Sequence, residues 1–483
     1  MLSTSFDRLV IVAMMLLAST MVTFSELAQH PDADTLLPAV MSTQRVTWYF
    51  WGQNRLGNLW PLVASPIADI HLNFAIQEFL KACMAALSPL FLVQLLRPSV
   101  NVPAAYAAGL LGLFGTLEPS VVKQFWLETQ PYGTSITLVA AATWVGARGE
   151  LSVRLRSLAV FALVLVATWV NIGIVLVTVP VFGLFLVVDR TWHHAGMLAC
   201  SLVCYALVTI HCKFFPGPPG YASLQLSWAG FEALAKTTRQ SLMTGPVLAL
   251  VAAFAVAGAI AIRVASGRPV FRRTLLLIAA CAGTMLITAC LTWFAANEYS
   301  SRYLCLPLAL MFGAASIAVA DVAAALLRPA PTLRVLASVG ICAAALGVIF
   351  RGAKPSLAVP QIQPAYADLA DRAVQEQASF LAGDYWTVWP AVFEANARMR
   401  PHRVYGLAYR GSEVMTQIEA AAVPGAVLVC TSATARDCTS TIRSDLGRNE
   451  IAGRPIDVAF ELVRSGSYGA DARPYVVLRV RPL

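Results

Sequence analysis

The sequence predicts an α-helical polytopic membrane protein with about eleven transmembrane helices and a small C-terminal α/β domain. Of the 483 residues, 58% are hydrophobic and only 13% are charged, and the mean hydropathy is +0.67. Because roughly a quarter of the residues of a soluble globular protein are charged, these values exclude a water-soluble enzyme and a disordered chain. Apolar runs long enough to cross about 30 Å of hydrocarbon recur between residues 8 and 350.

Eleven apolar segments are candidate transmembrane spans. The first could be a signal peptide, but it lacks a small-residue cleavage site before His30-Pro31, so we expect it to be retained. The apolar stretch 158–188 is too long for one span and is predicted to break at Asn171 and Gly173. The predicted spans are residues 8–27, 72–96, 104–118, 132–147, 157–170, 173–188, 196–214, 243–262, 274–296, 302–326 and 334–350.

Basic residues predict the orientation of these spans. Lys and Arg that flank spans are held preferentially on the cytoplasmic side. With a cytoplasmic N-terminus, the cytoplasmic loops contain Arg97, Arg148, Arg154, Arg156, Arg190, Arg263, Arg268, Arg272, Arg273, Arg328 and Arg334. The opposite loops are poorer in basic residues, so we interpret the net charge of +9 as a topology signal and expect no nucleic-acid partner. An odd number of spans then places the C-terminal domain outside the cytoplasm.

The composition changes to that of an ordinary globular domain after Arg351. We therefore predict a transmembrane domain at 1–350, whose first external loop covers about 28–71, and an extracytoplasmic α/β domain at 351–483. Cys430 and Cys438 lie close together in this second domain and are predicted to form a disulfide in an oxidising periplasm, the alternative being two unrelated thiols. Its predicted strands are 404–407, 426–430, 458–463 and 475–480, and its predicted helices are 365–381 and 414–422.

The first external loop contains the strongest candidates for catalysis. Asp32 and Asp34 follow the first span in H-P-D-A-D-T-L-L-P. Carboxylates in this position could act as a general base toward an acceptor hydroxyl or hold a divalent cation. The alternative for Asp32 is a structural N-cap of a following helix. The aromatic stretch 45–61, which carries Arg55, is predicted to form an amphipathic helix in the headgroup layer.

Charged residues also mark other external ends of the spans. Glu128 follows the third span, and the tenth begins with N-E-Y-S-S-R-Y-L, which contains Glu298, Arg302 and Tyr303. An arginine at the start of an apolar helix is costly unless it meets an anion or the membrane interface. Phosphate suits Arg302 because a guanidinium can bind it through two hydrogen bonds. Snorkelling to the headgroups of membrane lipids is the alternative.

Taken together, these features resemble the GT-C superfamily of polytopic glycosyltransferases. The resemblance rests on a cytoplasmic N-terminus, an acidic first external loop and a soluble extracytoplasmic C-terminal domain. The segment R-Y-L-C-L-P (Arg302–Pro307) is similar to the Arg-Tyr start of a late helix in several such families. The segment W-G-Q-N-R-L-G-N-L-W-P (Trp51–Pro61) is similar to a stretch in bacterial membrane proteins labelled as glucosyltransferases.

The resemblance implies a GT-C-like membrane domain and an inverting transfer of sugar. The donor would be a polyprenyl-phosphate sugar, and the acceptor a cell-envelope glycan, lipid or protein at the extracytoplasmic face of the bacterial inner membrane. Asp32 or Asp34 would deprotonate or orient the acceptor, and Arg302 would neutralise the departing phosphate. Glu128 would be a second acidic residue of the site, and the remaining predicted substrate-binding residues are Arg55, Glu298 and Tyr303.

Asp-Ala-Asp departs from the Asp-Glu pair of the protein mannosyltransferases, which leaves open which carboxylate acts and whether a metal is bound. Sugar transfer requires that the two aspartates and Arg302 converge over a crevice at the outer leaflet. Two other classes compete with this prediction. A transporter or flippase of a lipid-linked or small substrate would usually show internal repeats and broken helices near the bilayer midplane, whereas here the charges gather at the external ends. A non-enzymatic membrane scaffold is the other alternative.

Overall fold

The structure is a computed structural model that describes residues 5–25, 28, 31–128, 131–215, 227–263, 269–354, 362–399, 403–408, 425–440 and 458–482. Its helices are α1 (Ser5–Thr23), α2 (Ala33–Gln44), α3 (Leu59–Ala64), α4 (Ile70–Leu87), α5 (Pro89–Leu96), α6 (Val102–Thr116), α7 (Pro119–Trp126), α8 (Tyr132–Gly146), α9 (Val153–Val170), α10 (Val175–Asp189), α11 (Trp192–Cys212), α12 (Trp228–Gln240), α13 (Thr244–Arg263), α14 (Pro269–Ala289), α15 (Thr292–Ala296), α16 (Cys305–Leu326), α17 (Pro331–Ala353), α18 (Pro364–Gln375) and α19 (Tyr385–Arg398). Its strands are β1 (Tyr49–Phe50), β2 (Gln53–Gly57), β3 (Phe380–Ala382), β4 (Tyr405–Leu407), β5 (Val427–Cys430), β6 (Val458–Tyr468) and β7 (Arg473–Pro482).

The chain forms two compact units, and each is described by itself. The membrane unit consists of Met1–Leu27, Lys81–Ile210 and Pro219–Leu357. The mixed unit consists of Ala28–Leu80, His211–Pro218 and Ala358–Leu483. The first external loop thus clusters with the C-terminal region, although the sequence had suggested grouping it with the transmembrane domain at 1–350.

All eleven predicted spans coincide with helices. Within the described ranges, nine helical segments are long and apolar enough to cross a membrane, and α6 and α8 are shorter, with 15 residues each. The predicted span 72–96 is divided at Ser88, where Pro89 begins a new helix because proline is favoured in a first helical turn. The predicted break near Asn171 is confirmed, since its Oδ1 accepts a hydrogen bond from the Gly173 amide at 2.9 Å where α9 ends.

Small residues allow helices of the membrane unit to approach closely. Helices α6 and α16 are buried around most of their circumference and pack on each other. A Cβ atom placed on Gly112 of α6 would lie 2.4 Å from the carbonyl oxygen of Phe312 in α16. Helix association in lipid depends on such close packing because the hydrophobic effect contributes little there. Glycine is therefore required at this crossing.

We expect Gly112→Ala to lower the thermal unfolding midpoint of the detergent-solubilised protein. The added methyl group overpacks a backbone contact, which costs about 1–3 kcal/mol. Gly183→Ala is the matched control, because a Cβ there meets no atom within 4 Å. It should be neutral or slightly stabilising, since alanine favours a helix over glycine. Equal midpoints for the two variants would contradict the close α6–α16 packing.

The mixed unit contains a five-stranded sheet in the order β4-β3-β5-β7-β6. The first three strands are parallel, and β7 runs antiparallel to both of its neighbours. Helices α18 and α19 pack against each other beside this sheet. The sheet and its helices bear out the α/β class predicted for the C-terminal domain. The expected disulfide between Cys430 and Cys438 is present, with the two Cα atoms 6.0 Å apart.

For the mixed unit, one expectation was correct only in part and another was wrong. The predicted helix 365–381 ends at Gln375, and its last residues belong to the buried strand β3, because a short apolar run fits a buried strand as well as a helix. The aromatic stretch 45–61 forms the β1–β2 hairpin and the start of α3 instead of an amphipathic helix. The predicted helix 414–422 lies outside the described residues.

The hairpin replaces the expected helix because its aromatic residues are buried in protein. Trp51 is fully buried, and its ring centroid lies 5.8 Å from that of Trp389 in α19. The Tyr49 hydroxyl is 2.7 Å from Nδ1 of His211, and burial raises the pKa of this phenol well above its ordinary value, with a smaller contribution from a hydrogen bond with Cys212. Phe50 and Trp51 thus belong to a protein core, whereas Trp48, just before the hairpin, is exposed.

Candidate active site

The two predicted catalytic aspartates flank the start of α2 and have different partners. Asp32 is the N-cap residue of α2, and its Oδ1 accepts hydrogen bonds from the Thr35 amide at 2.9 Å and the Thr35 hydroxyl at 2.7 Å. Asp34 is the second residue of α2 and is half-buried. Helix α2 begins here because Asp32 satisfies an amide that the first turn leaves without an intrahelical partner.

Asp34 is hydrogen-bonded to a residue of the C-terminal region. The Tyr385 hydroxyl donates to Asp34 Oδ1. Tyr385 is the first residue of α19, whose N-cap Asp384 accepts from the amides of Trp386 at 3.0 Å and Thr387 at 3.1 Å. Two helix starts, far apart in the sequence, therefore meet at one carboxylate.

The first external loop and the C-terminal region share one hydrophobic core. This core combines α2 and the hairpin with α18, α19 and the sheet. The Gln44 side-chain amide donates to the Val404 carbonyl at 2.8 Å, which fixes the end of α2 beside β4. Arg55 lies in β2 and is half-buried within the same unit. The Asp34–Tyr385 pair is consequently held on two elements whose other faces are packed.

A second group of predicted site residues lies in the membrane unit, before α16. Arg302 is half-buried, donates from Nη2 to the Asn297 side-chain oxygen at 2.7 Å, and has its guanidinium carbon 4.9 Å from the centroid of the Tyr303 ring. The Ser301 hydroxyl donates to the Gln124 side chain at 3.1 Å, which ties this turn to α7. The arginine is therefore fixed in orientation by polar and cation–π contacts.

The turn that precedes Arg302 has an unusual backbone. Glu298 and Tyr299 have φ values of 53° and 55°, in the left-handed region that non-glycine residues seldom adopt. Such a conformation costs about 1–2 kcal/mol per residue. The Thr237 hydroxyl donates to the Tyr299 carbonyl at 3.1 Å and helps to hold the turn. Strain of this kind is often found at functional sites, and the Glu298 side chain in this turn is exposed.

The structure brings Glu128 and Arg302 to a common neighbour. The Tyr132 hydroxyl, at the start of α8, lies within electrostatic range of the Arg302 guanidinium, the Glu128 carboxylate and Tyr303. Cys305 of α16 is also within range of Glu128. Glu128, Arg302 and Tyr303, three of the predicted substrate-binding residues, therefore all act electrostatically on Tyr132.

Sequence reasoning missed three polar residues near these groups. It assigned no site role to Tyr132, Tyr385 or Lys81. The buried Lys81 side chain donates to the Leu127 carbonyl at 3.0 Å, immediately before Glu128. Tyr132 could have been suspected because it begins a span four residues after an acidic residue, whereas no local signal connects Tyr385 with the first external loop.

The described residues contain no group of three or more His, Cys, Asp and Glu side chains arranged to hold a metal ion. Asp32 is already bonded to Thr35 and Asp34 to Tyr385. The divalent cation considered from the sequence thus has no ligand set of this kind among the described residues.

Comparisons with known proteins identify the fold. No protein-family model matches the chain, and no curated protein matches it. Among solved structures, the crystal structure of ArnT from Cupriavidus metallidurans bound to undecaprenyl phosphate matches with a TM-score of 0.51 and 15% sequence identity. The match covers 99% of this chain and 98% of the ArnT chain, and ArnT is a GT-C glycosyltransferase. The chain has the GT-C fold. This GT-C fold includes both units, since almost no part of either chain is left outside the match.

Proposed function

We propose that this protein transfers a sugar from a polyprenyl-phosphate-linked donor to a cell-envelope acceptor, which is a glycan, a lipid or a protein. The likeness to ArnT, whose structure contains undecaprenyl phosphate, carries this proposal because it extends over nearly the whole of both chains. The reaction proceeds with inversion at the sugar carbon. It takes place at the extracytoplasmic face of the bacterial inner membrane.

In this reaction Asp34 is the general base and Arg302 is the cation at the leaving group. Phosphate is a good leaving group, so the protein needs mainly to position the acceptor and to stabilise the departing charge. A guanidinium suits phosphate because its N–H groups form a planar fork. Asp32 acts as the N-cap of α2. Arg55, Glu128, Glu298 and Tyr303 contact the substrates.

The proposed orientation has the N-terminus in the cytoplasm and the C-terminal domain in the periplasm. The arginine-rich connections on one side of the spans support it, because basic residues are retained in the cytoplasm. The Cys430–Cys438 disulfide supports it as well, since disulfides persist in the periplasm and are rare in the cytoplasm.

Purified protein in lipid nanodiscs, incubated with radiolabelled polyprenyl-phosphate sugars and a cell-envelope extract, tests the proposal. We expect label to move from the lipid donor to an envelope acceptor. In sealed vesicles, donor that crosses the membrane without being consumed would indicate a flippase and contradict sugar transfer. Absence of transfer with every donor sugar and extract would also contradict it.

A further inference from the structure

We propose that Tyr385 of the C-terminal domain is a positioning residue for Asp34. This inference rests on the proposed sugar transfer and deepens it. It assigns part of the catalytic machinery to a domain whose sequence contains no glycine-rich phosphate loop or nucleophile motif. The observation behind it is the hydrogen bond from the Tyr385 hydroxyl to Asp34 Oδ1, which joins residues 351 positions apart.

The partners of the two aspartates distinguish their roles. Asp32 bonds to Thr35 within its own helical turn, which is the ordinary geometry of an N-cap. Asp34 does not cap the helix, because Asp32 occupies the N-cap position. One partner of Asp34, Tyr385, comes from a different part of the chain, and a contact of this kind orients a carboxylate relative to the rest of the unit.

The Tyr385 hydroxyl is well placed to fix an orientation because its own position is fixed. Asp384 caps α19 through two amides, which sets the direction of the first turn. The body of α19 is anchored by the fully buried side chains of Val388 and Trp389. The Tyr385 ring also packs edge-to-face on Trp386, with the ring centroids 5.0 Å apart. Tyrosine has few rotatable bonds, so little freedom remains in its hydroxyl.

A fixed Asp34 carboxylate can bind Tyr385 and an acceptor at the same time. An ionised carboxylate has about four lone-pair sites on its two oxygens. In the transfer step the acceptor oxygen forms a bond to the sugar carbon, and the bond from that carbon to the phosphate oxygen breaks. The acceptor proton goes to Asp34, and the leaving phosphate keeps the bonding electron pair. Tyr385 aligns the carboxylate with the acceptor hydroxyl and neither gains nor loses a proton.

Steady-state kinetics of Tyr385→Phe in nanodiscs test this role. The substitution removes one hydroxyl and keeps the ring. We expect kcat to fall about 10- to 100-fold, because a small misplacement of a reacting group has effects of this size. The KM for the donor should stay within about twofold, since the role proposed for the hydroxyl is to orient Asp34 and not to bind the donor. Tyr405→Phe, which removes a hydroxyl in β4 of the same domain, is the control and should leave kcat unchanged.

Two further variants separate positioning from a structural role. In the Asp34→Asn background, Tyr385→Phe should lower kcat by less than about twofold, because the carboxylate that Tyr385 orients is already absent. Tyr385→His has a shorter side chain whose ring N–H does not reach Asp34, so it should lower kcat as Tyr385→Phe does, and it serves as the test variant if Tyr385→Phe fails to fold. An equal fall in kcat in both backgrounds, together with a higher KM and a lower thermal unfolding midpoint, would overturn the inference.

The result also separates this inference from the proposed function. Wild-type transfer together with an unchanged kcat in Tyr385→Phe would overturn the role of Tyr385 and leave sugar transfer standing. Absence of transfer by the wild-type protein would overturn the proposed function itself.

Discussion

Replacing Asp34 with asparagine is expected to lower the kcat of sugar transfer by about 10²- to 10⁴-fold. This is the usual range for the loss of a general base. Asparagine has nearly the same shape and can still accept the Tyr385 hydrogen bond, but it cannot take a proton from the acceptor. The KM for the donor should change little. The measurement is steady-state transfer of labelled sugar by protein in nanodiscs.

Asp32→Ser is the matched control for this prediction. Serine is also a favoured N-cap residue, so the start of α2 should be preserved. We expect kcat to stay within about threefold of the wild-type value, because in this structure the Asp32 carboxylate is bonded to Thr35. If Asp32→Ser abolishes transfer while Asp34→Asn does not, the roles of the two aspartates are reversed.

Replacing Arg302 with glutamine should lower kcat/KM for the polyprenyl-phosphate donor by about 10²- to 10³-fold. This is the range for removing a group that stabilises developing negative charge. Glutamine retains polar contacts with the turn around Asn297 but has no charge. The kcat/KM of Arg302→Lys should lie between the values of Arg302→Gln and the wild type, because lysine keeps the positive charge but lacks the planar fork of N–H groups.

Arg239→Gln is the control for Arg302→Gln. Arg239 is exposed at the end of α12 and also belongs to the membrane unit, so its substitution removes one positive charge from another position. We expect its kcat/KM to match the wild-type value. Equal losses in both glutamine variants would mean that net charge matters and that Arg302 has no specific contact with the leaving phosphate.

The membrane part of the fold was largely predictable because a lipid environment imposes simple rules. A spanning segment must satisfy its backbone hydrogen bonds internally and present apolar side chains. The span length therefore appears directly in the sequence, and the predicted segments coincide with helices. Even the interruption at Asn171 could be anticipated, since asparagine and glycine in a long apolar run favour a break.

The mixed unit was less predictable because its elements are short and its contacts are distant. The stretch 45–61 has the aromatic and basic composition of an interfacial helix, yet Gly52, with φ of 65°, allows a tight turn between β1 and β2. The burial of Trp51 against Trp389 then favours the hairpin. A local pattern cannot reveal a partner that lies more than 300 residues away in the chain.

The candidate site shows the same division. The sequence by itself determined that acidic residues follow the first span and that an arginine begins a late one, because charges at the ends of apolar helices are conspicuous. Only the tertiary structure decided that Asp32 caps α2, that Asp34 bonds to Tyr385, and that Arg302 bonds to Asn297 beside the Tyr303 ring. These choices depend on which distant elements pack together, and that packing is a property of the folded core rather than of any local segment.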